Sequence, residues 1–447
     1  MCIRDSEEPF GLPRDLGDGL TLRWATPDDA ETVAQFNLAM HSEPPGEETF
    51  LYHWTHDLMR GDHPTTQASD FTVVTDADGR IISSLNLISQ TWAYDGIPFP
   101  VGRPELVATL PEYRRRGLVR EQMEVIHRKS AARGELVQAI TGIPWYYRQF
   151  GYEMGLDLGG SRHLFWVRPG NDEKVEPELY RLRPATADDI PMLQELYIAH
   201  LGRSLITRLR SPEIWRHEMF VSHPESIWPR PYMILTPDDA VVGYVNYDPF
   251  DTAIEITELG VRPGHSWRAV GRFLVRHLRE EAVALNPGRA ADKQLTSLSF
   301  NLGQAHPVYE ALDPDLEKQS RPYGWYVRVP DIPAFLRHVA PALERQLAAS
   351  VMAGHTGLCK INLYRSRFEM VWHDGRLTEV TDGYEHKRLD DGDANFPDLT
   401  FLQLLFGFRS FDELIAAFVD CYPSNSTTRV LLRVLFPKRP SHVIPLG

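Results

Sequence analysis

The strongest structural signal in this 447-residue sequence is the stretch VATLPEYRRRGLVR, residues 107–120. Its apolar start predicts a strand, and Pro111 interrupts the hydrogen-bond ladder of that strand. Apolar residues at helical spacing then predict a helix over residues 118–133. The start of a helix leaves backbone N–H groups unpaired, and Gly117 keeps side-chain bulk away from them. Three consecutive arginines add donors that suit phosphate, so the stretch predicts a pyrophosphate-binding loop.

A run of arginines can also be no more than a solvated basic surface. Here the run lies between a predicted strand and an amphipathic helix, so backbone and side-chain donors converge on one point. That position favours phosphate binding over the simpler interpretation.

An internal repeat divides the chain. The eight residues LRWATPDD at 22–29 return as LRPATADD at 182–189, with six of the eight positions identical. Each copy predicts a short strand, a threonine that caps a helix and two acids in the first turn of that helix. We therefore expect two related domains that begin near residues 20 and 180. Chance similarity of a common strand–cap–helix pattern is the alternative.

The C-terminal part predicts a separate α+β unit. Its predicted helices lie at 331–349, 399–405 and 410–418. Its predicted strands lie at 357–364, 367–373, 377–381 and 430–436. No cluster of catalytic residue types occurs in this unit.

Composition excludes several classes of protein. The chain carries 61 acidic and 47 basic residues, a net charge of −14, which argues against a nucleic-acid partner. Such a field would attract a cationic substrate, and the alternative is that the acidic surface serves only solubility. No stretch approaches the roughly 18–20 apolar residues that span a membrane. The three cysteines are scattered and the opening lacks a secretory signal, so a cytoplasmic location is expected. Residues 1–6 look like a translated sequencing-adapter remnant and are left out of the fold reasoning.

These features resemble the GNAT superfamily of acetyltransferases. Its pyrophosphate loop reads Arg/Gln-x-x-Gly-x-Gly/Ala, which Arg114-x-x-Gly117-x-Val119 matches with valine at the last position, after the familiar Val-x-x-x-Pro-Glu-Tyr at 107–113. The run Arg-Arg-Arg-Gly-Leu-x-Arg is similar to that of the enhanced-intracellular-survival (Eis) family. The resemblance implies an α/β (α+β) fold with tandem GNAT folds, the second degenerate, followed by a small sterol-carrier-like α+β domain. The implied domains are 7–170 (catalytic), 178–325 (degenerate) and 326–447 (sterol-carrier-like).

The resemblance also implies how acetyl-CoA would bind as the co-substrate, without a metal. Residues 107–109 would pair with the pantetheine arm, the arginine loop would surround the pyrophosphate, and residues 142–143 would complete the cleft. The implied binding residues are Val107, Ala108, Thr109, Arg114, Arg115, Arg116, Gly117, Leu118, Val119, Arg120, Gly142 and Ile143. The equivalent residues of the second copy, 261–271, lack the Arg-x-x-Gly-x-Gly spacing, so that copy is expected to bind no CoA.

The sequence YYRQFGY at 146–152 carries the predicted general acid. GNAT enzymes commonly have Tyr-x-x-x-Gly-Phe/Tyr at this place, and Tyr147 has that spacing to Gly151. A phenol with a pKa of about 10 can protonate a departing thiolate with a pKa of about 8.5. The alternative is that Tyr147 is one more core aromatic residue.

Two candidates are open for the general base that must take a proton from the attacking amine. In the Eis family the terminal carboxylate has this role, which implies the carboxylate of Gly447 here, although the family ends in an aromatic residue. The other candidate is Glu105, which by strand alternation shares a face with Val107 and Thr109 and could act through water. A free terminus and a surface glutamate are the simpler interpretations.

The sequence therefore predicts an N-acetyltransferase that moves an acetyl group from acetyl-CoA to a primary amine by direct attack. The resemblance implies a cationic acceptor (an aminoglycoside, a polyamine or a lysine) and a homo-oligomer such as a hexamer. Two alternatives stay open. The apolar helices near 399–418 could line a lipid or sterol cavity, and the arginine loop could belong to a non-catalytic CoA-binding scaffold.

Overall fold

The computed structural model describes residues 10–42, 48–166, 178–227, 230–385 and 388–444. The N-terminal part contains β1 (Arg14–Gly17), β2 (Leu20–Trp24), α1 (Ala30–His41), α2 (Phe50–Met59), β3 (Phe71–Thr75), β4 (Ile81–Tyr94), β5 (Ile97–Thr109), α3 (Leu118–Ala132), β6 (Val137–Ile140), β7 (Glu153–Leu158) and β8 (Ser161–Phe165). The middle part contains β9 (Arg181–Pro184), α4 (Ile190–Leu201), β10 (Ile206–Leu209), α5 (Pro212–Arg216), β11 (Tyr232–Leu235), β12 (Val241–Phe250), β13 (Ala253–Val261), α6 (Trp267–Leu285), β14 (Ser297–Phe300), α7 (Pro307–Ala311), β15 (Lys318–Ser320) and β16 (Tyr323–Arg328). The C-terminal part contains α8 (Ile332–Ala348), β17 (Gly357–Asn362), β18 (Arg367–His373), β19 (Arg376–Asp382), β20 (Ala394–Asn395), α9 (Thr400–Leu405), α10 (Phe411–Ala417), β21 (Tyr422–Pro423) and α11 (Ser426–Leu435).

The two copies of the repeat fold alike for a reason that the shared residues explain. In the first copy Arg23 donates to both carboxylate oxygens of Asp29 at 2.8 Å, and Asp29 also accepts from the backbone N–H of Thr26. In the second copy Arg183 donates to Asp189 at 2.8 and 2.9 Å. The arginine on the strand thus fixes the aspartate that caps the next helix.

Two large sheets exchange strands. The first runs in the order β1-β2-β3-β4-β5-β6-β16-β7, with β10 paired to β4, and the second in the order β15-β8-β14-β13-β12-β11-β9. Strand β8 is the last strand of the N-terminal part but pairs with β14 and β15, whereas β16 of the middle part pairs with β6 and β7. Sheet membership therefore crosses both predicted domain boundaries, which themselves stay predictions.

The first sheet opens between β5 and β6. These parallel strands pair only at Val101 with Val137 and at Gly102 with Gln138. Beyond those pairs β5 runs on to Thr109 beside β4, and β6 runs on to Ile140 beside β16, without pairing with each other. The divergence leaves a cleft at the carboxyl ends of the two strands.

The C-terminal part forms a five-stranded sheet in the order β19-β18-β17-β20-β21. Its core is continuous with that of the first sheet, since Tyr94 of β4 donates a hydrogen bond to the carbonyl of Leu405 at 2.9 Å. The predicted strand at 430–436 is wrong, because residues 430–435 belong to helix α11 and Phe436 follows its last turn. The Asn425 side chain caps that helix, and its buried positions 428, 431, 432 and 435 follow helical spacing. The predicted mixed α/β fold class is confirmed.

Candidate active site

A cavity of about 1000 Å³ lies where β5 and β6 diverge. Its walls come from those two strands, from α1 and α2, from the start of α3 and from the helical turn Tyr146–Phe150. The predicted acetyl-CoA residues that line it are Val107, Ala108, Thr109, Arg114, Arg115, Gly117, Leu118, Val119, Arg120, Gly142 and Ile143. Arg116 is not part of the lining, and the predicted base Gly447 lies outside the described residues.

The start of α3 presents unpaired backbone donors to this cavity. The N–H groups of residues 115–119 donate to no carbonyl or side chain of the residues that the structure describes. The first paired donor is that of Arg120, which reaches the carbonyl of Gly117 at 2.9 Å. Gly117 has a φ of +82°, and an added Cβ there would meet nothing within 4 Å. Glycine is thus required by the left-handed backbone, and the space beside it is open to a ligand.

The arginines around this backbone are exposed and held by weak contacts. Arg114 Nε donates to the carbonyl of Thr109 at 3.2 Å, and the Arg116 guanidinium lies 5.2 Å from the centre of the Tyr113 ring. Arg120 donates to the side chain of Gln149 at 3.2 Å. None of these arginines has a carboxylate partner in the described part of the chain, so their charges are available to an anion.

A β-bulge shapes the floor of the cavity. Ala108 pairs with Ser84 and Glu105 pairs with Asn86, so residues 106 and 107 together oppose one residue of β4. Leu106 has a φ of +51°, outside the extended region. The prediction that strand alternation places Glu105 on one face with Val107 and Thr109 is wrong, because the bulge interrupts that alternation. All three residues nevertheless line the cavity.

The carboxylate of Glu105 lies at the edge of the cavity beside a buried cation. Its side chain is 17% exposed and forms an ion pair with Arg103, whose side chain is fully buried. Burial raises the pKa of Glu105 above its ordinary value, although the Arg103 charge opposes that effect. A carboxylate with a raised pKa is a stronger base than a solvated one.

Tyr147 lies in the cavity wall with a free hydroxyl. Its side chain is 3% exposed and packs against the rings of Tyr146, Tyr152 and Tyr326. No described residue forms a hydrogen bond with its hydroxyl, which leaves that group to a ligand in the cavity. Burial, and to a smaller extent Glu105, raise the pKa of Tyr147 above its ordinary value, so the phenol keeps its proton at neutral pH.

Sequence analysis missed the wall formed by the first two helices. Met40 and His41 at the end of α1, and Leu51 and Trp54 of α2, line the cavity opposite the arginine loop. The spacing of Leu51 and Trp54 in a helix was the only available signal, and it is equally typical of core residues. Nothing local to the sequence indicates that these helices border the cleft.

The C-terminal helices are packed rather than hollow. Their apolar side chains at Phe401, Leu404, Phe406 and Leu414 are at most 1% exposed and belong to the core shared with the first sheet. A second cavity of about 530 Å³ lies beside β4 and β10, and neither cavity is lined by these helices. This packing gives the lipid-binding alternative no support.

The part of the chain that the structure describes shows no sign of a metal site or a membrane span. No group of three or more histidine, cysteine or acidic residues there could hold a metal ion. No helix there is both long and apolar enough to cross a membrane.

A family model matches the part of the chain that builds this cavity. Residues 22–155 match the acetyltransferase (GNAT) domain. They include β2 to β7 with the arginine loop and the turn that carries Tyr147. No curated protein matches the sequence.

Solved structures share the whole architecture at low sequence identity. A probable N-acyltransferase from Enterococcus faecalis is 14% identical with a TM-score of 0.67, over 96% of this chain and 100% of that one. A GCN5-related N-acetyltransferase from Kribbella flavida is 19% identical with a TM-score of 0.64, over 96% and 98%. Eis1 from Mycobacterium abscessus is 17% identical with a TM-score of 0.56, over 94% and 98%. The likeness therefore extends over the fold of all three parts.

Proposed function

We propose that this protein is an acyl-CoA-dependent N-acyltransferase that uses acetyl-CoA. One observation carries the proposal: the N–H groups of residues 115–119 have no partner in the described part of the chain, and all of these residues except Arg116 line a cavity of about 1000 Å³ beside uncompensated arginines. Unpaired donors at the positive end of a helix form an anion site. The cavity is at the upper end of the range of about 300–1000 Å³ for small-molecule sites. The match of residues 22–155 to a GNAT acetyltransferase domain supports the same conclusion.

The reaction needs only groups that the chain supplies. The amine nitrogen attacks the thioester carbonyl carbon, the carbon–sulfur bond breaks, and the phenol of Tyr147 gives its proton to the leaving thiolate. Backbone N–H groups beside the bulge polarise the thioester oxygen. Glu105 takes the proton of the amine, directly or through water. The terminal carboxylate of Gly447 stays the second candidate for that step.

We further propose that the acceptor is a primary amine on a cationic molecule, such as an aminoglycoside, a polyamine or a lysine side chain. The net charge of −14 favours the approach of a cation. The aromatic ring of Trp54 and the carboxylate of Glu105, both in the cavity wall, are groups that attract one. A homo-oligomeric state and a sterol-carrier-like role for the C-terminal part stay predictions from the family resemblance.

The decisive experiment measures thiol release from acetyl-CoA by the full chain across polyamines, aminoglycosides and lysine peptides. Calorimetry with CoA alone runs in parallel. We expect CoA binding and amine-dependent thiol release. Binding without release for every amine would favour the non-catalytic scaffold, and no binding heat would contradict the proposal altogether.

The arginine loop gives a sharper test of the binding mode. Arg115→Gln should weaken CoA binding by about tenfold, because one charge-assisted donor to phosphate is lost. Arg128→Gln is the matched control, since Arg128 lies further along α3, outside the cavity lining, and pairs with Glu124 at 3.4 Å. Equal affinities of the two variants for CoA would show that the loop does not hold the pyrophosphate.

A further inference from the structure

The loop that delivers Tyr147 to the cavity has an unusual backbone. Between the end of β6 and the helical turn, Gly142 has a φ of +108° and Trp145 a φ of +63°. A positive φ is uncommon for a residue as large as tryptophan and persists only where neighbouring groups fix it. Ile143 and Trp145 are 52% and 68% exposed, so burial of their own side chains does not hold the loop.

Two hydroxyl groups of β16 hold the loop at both ends. The Tyr326 hydroxyl accepts a hydrogen bond from the backbone N–H of Trp145 at 2.7 Å. The Tyr323 hydroxyl donates to the carbonyl of Gly142 at 3.1 Å. These two contacts secure the two residues of the loop that have positive φ.

Tyr326 also contacts the predicted general acid. Its ring is fully buried, and its centre lies 5.8 Å from that of Tyr147 in an edge-on arrangement. The backbone of Tyr326 pairs with Ile140 on one side and Met154 on the other, the strands that precede and follow the loop. One residue therefore contacts the loop, its flanking strands and Tyr147.

This residue comes from a distant part of the sequence. Strand β16 is the last strand of the middle part of the chain, yet it belongs to the first sheet. A buried ring at this position needs only its apolar surface to fill the core. The hydroxyl adds hydrogen bonds to that packing: it accepts from the N–H of Trp145 and contacts the side chain of Tyr323.

We propose that Tyr326 is a positioning residue for acyl transfer, which fixes the Trp145 turn and thereby the placement of the Tyr147 phenol. The middle part of the chain thus completes the site of the N-terminal part. This inference rests on the proposed function, because it assigns Tyr326 to the same chemical step as Tyr147.

The test removes one hydroxyl and leaves the ring. In the full chain, Tyr326→Phe should lower kcat by about three- to tenfold, the range expected for one hydrogen bond. The KM for acetyl-CoA should stay unchanged, because the arginine loop is untouched. In a Tyr147→Phe background the second substitution should lower kcat no further, since the group that Tyr326 positions is already absent.

Tyr309→Phe is the matched control for loss of a buried hydroxyl. The Tyr309 hydroxyl donates to the carbonyl of Phe300 at 2.9 Å and accepts from the N–H of Leu302 at 3.2 Å, within the hydrophobic core beside the second sheet. This variant should unfold at a lower denaturant concentration and keep its kcat.

The outcomes separate the inference from the proposed function. An unchanged kcat in Tyr326→Phe, or a further loss of the same size in the Tyr147→Phe background, would overturn the positioning role. Full activity in Tyr147→Phe would overturn it too, because Tyr326 would have no acid to position. Absence of thiol release by the unaltered protein would refute the proposed function itself.

Discussion

The N-terminal and middle parts of the chain enclose equivalent spaces with different contents. In the first, α1, α2 and β5 surround the cavity, with Trp54 in its wall. In the second, the Arg210 guanidinium lies 4.2 Å from the Tyr197 ring of α4 and 3.5 Å from the Trp215 ring of α5. It also reaches Glu258 of β13 at 2.6 Å. A cation of the chain itself therefore fills the space that the first part leaves open.

The corresponding residues can be recognised in the sequence when the helices and strands of the two parts are matched in chain order. The sequence WTHDL at 54–58 returns as WRHEM at 215–219, and Glu-Leu at 105–106 returns as Glu-Leu at 258–259. Burial alone would lower the pKa of Arg210, but Glu258 and Glu218 more than offset that effect and raise it. In the second part an aromatic ring and a carboxylate thus bind a cation of the chain itself, whereas in the first part Trp54 lines an open cavity and Glu105 pairs with Arg103.

The helix starts differ in the same way. At α6 the Ser266 side chain accepts from the N–H of Ala269 at 3.2 Å, whereas no side chain caps α3. Arg268 donates to the carbonyl of Ala311 at 2.7 Å, and Arg272 pairs with Asp315 at 2.8 Å. The donors of the second helix start are used within the protein, so its geometry offers less to a phosphate.

The largest expected effect is on the free energy of unfolding, when the Arg210 cation of the middle part is removed. Arg210→Met should lower the free energy of unfolding by about 3–5 kcal/mol, because it leaves Glu258 buried without its cation and removes one of the two arginines that pair with Glu218. Denaturant unfolding measures the change. Arg120→Met in the first turn of α3, where the side chain is exposed, is the control and should alter stability by no more than about 0.5 kcal/mol. An equal loss of unfolding free energy in the two variants would mean that the buried cation Arg210 contributes no more to stability than an exposed arginine.

A smaller expected effect is on CoA binding, which should differ between substitutions at the starts of α3 and α6. Gly117 and Gly264 have φ values of +82° and +92°, and an added Cβ would meet nothing within 4 Å at either. Alanine at each position should therefore cost a similar 1–2 kcal/mol (roughly) of backbone strain. Only Gly117→Ala should also weaken CoA binding, by about tenfold, because it alters the backbone that faces the cavity. Calorimetry with CoA on both variants checks this, and a matching loss in Gly264→Ala would contradict the assignment of the site.

Local signals in the sequence were sufficient for much of the fold. The paired motifs at 22–29 and 182–189 predict both β–α openings because strand, cap and ion pair all lie within eight residues. The arginine loop was predictable for the same reason. The run at 430–436 was misread, since a short apolar run fits a buried strand and a buried helix equally well.

Long-range features left no local signal. The pairing of β16 between β6 and β7 depends on which strand edges are free in the folded chain. The hydrophobic pattern of a strand does not indicate which other strand it pairs with. The bulge at Leu106 adds one residue without disturbing the apolar pattern. For the same reason the sequence placed Tyr147 in the site but gave no indication of Tyr326, which contacts it from about 180 residues away.

The smallest expected effect is a flat alkaline limb in the pH dependence of turnover. The acid must hold its proton to act, and burial raises the pKa of Tyr147 above its ordinary value of about 10. Turnover should therefore not fall between about pH 8 and about pH 10 through this group. The base must be unprotonated, and burial raises the pKa of Glu105, so activity should be lost on the acid side at a pH above 4.5, its ordinary value.

The substitution Glu105→Gln tests whether the pH dependence of turnover arises from the cavity between β5 and β6. If Glu105 is the base, the substitution removes the acid limb together with most of the turnover. If the acid limb persists unchanged in the variant, another group takes the proton of the amine, and the terminal carboxylate becomes the stronger candidate. The counterpart Glu258 is not expected to act as a base, because it does not line the cavity and its buried carboxylate is bound to Arg210 and to the Tyr244 hydroxyl. The pH profile of the whole chain should therefore report the N-terminal cleft alone.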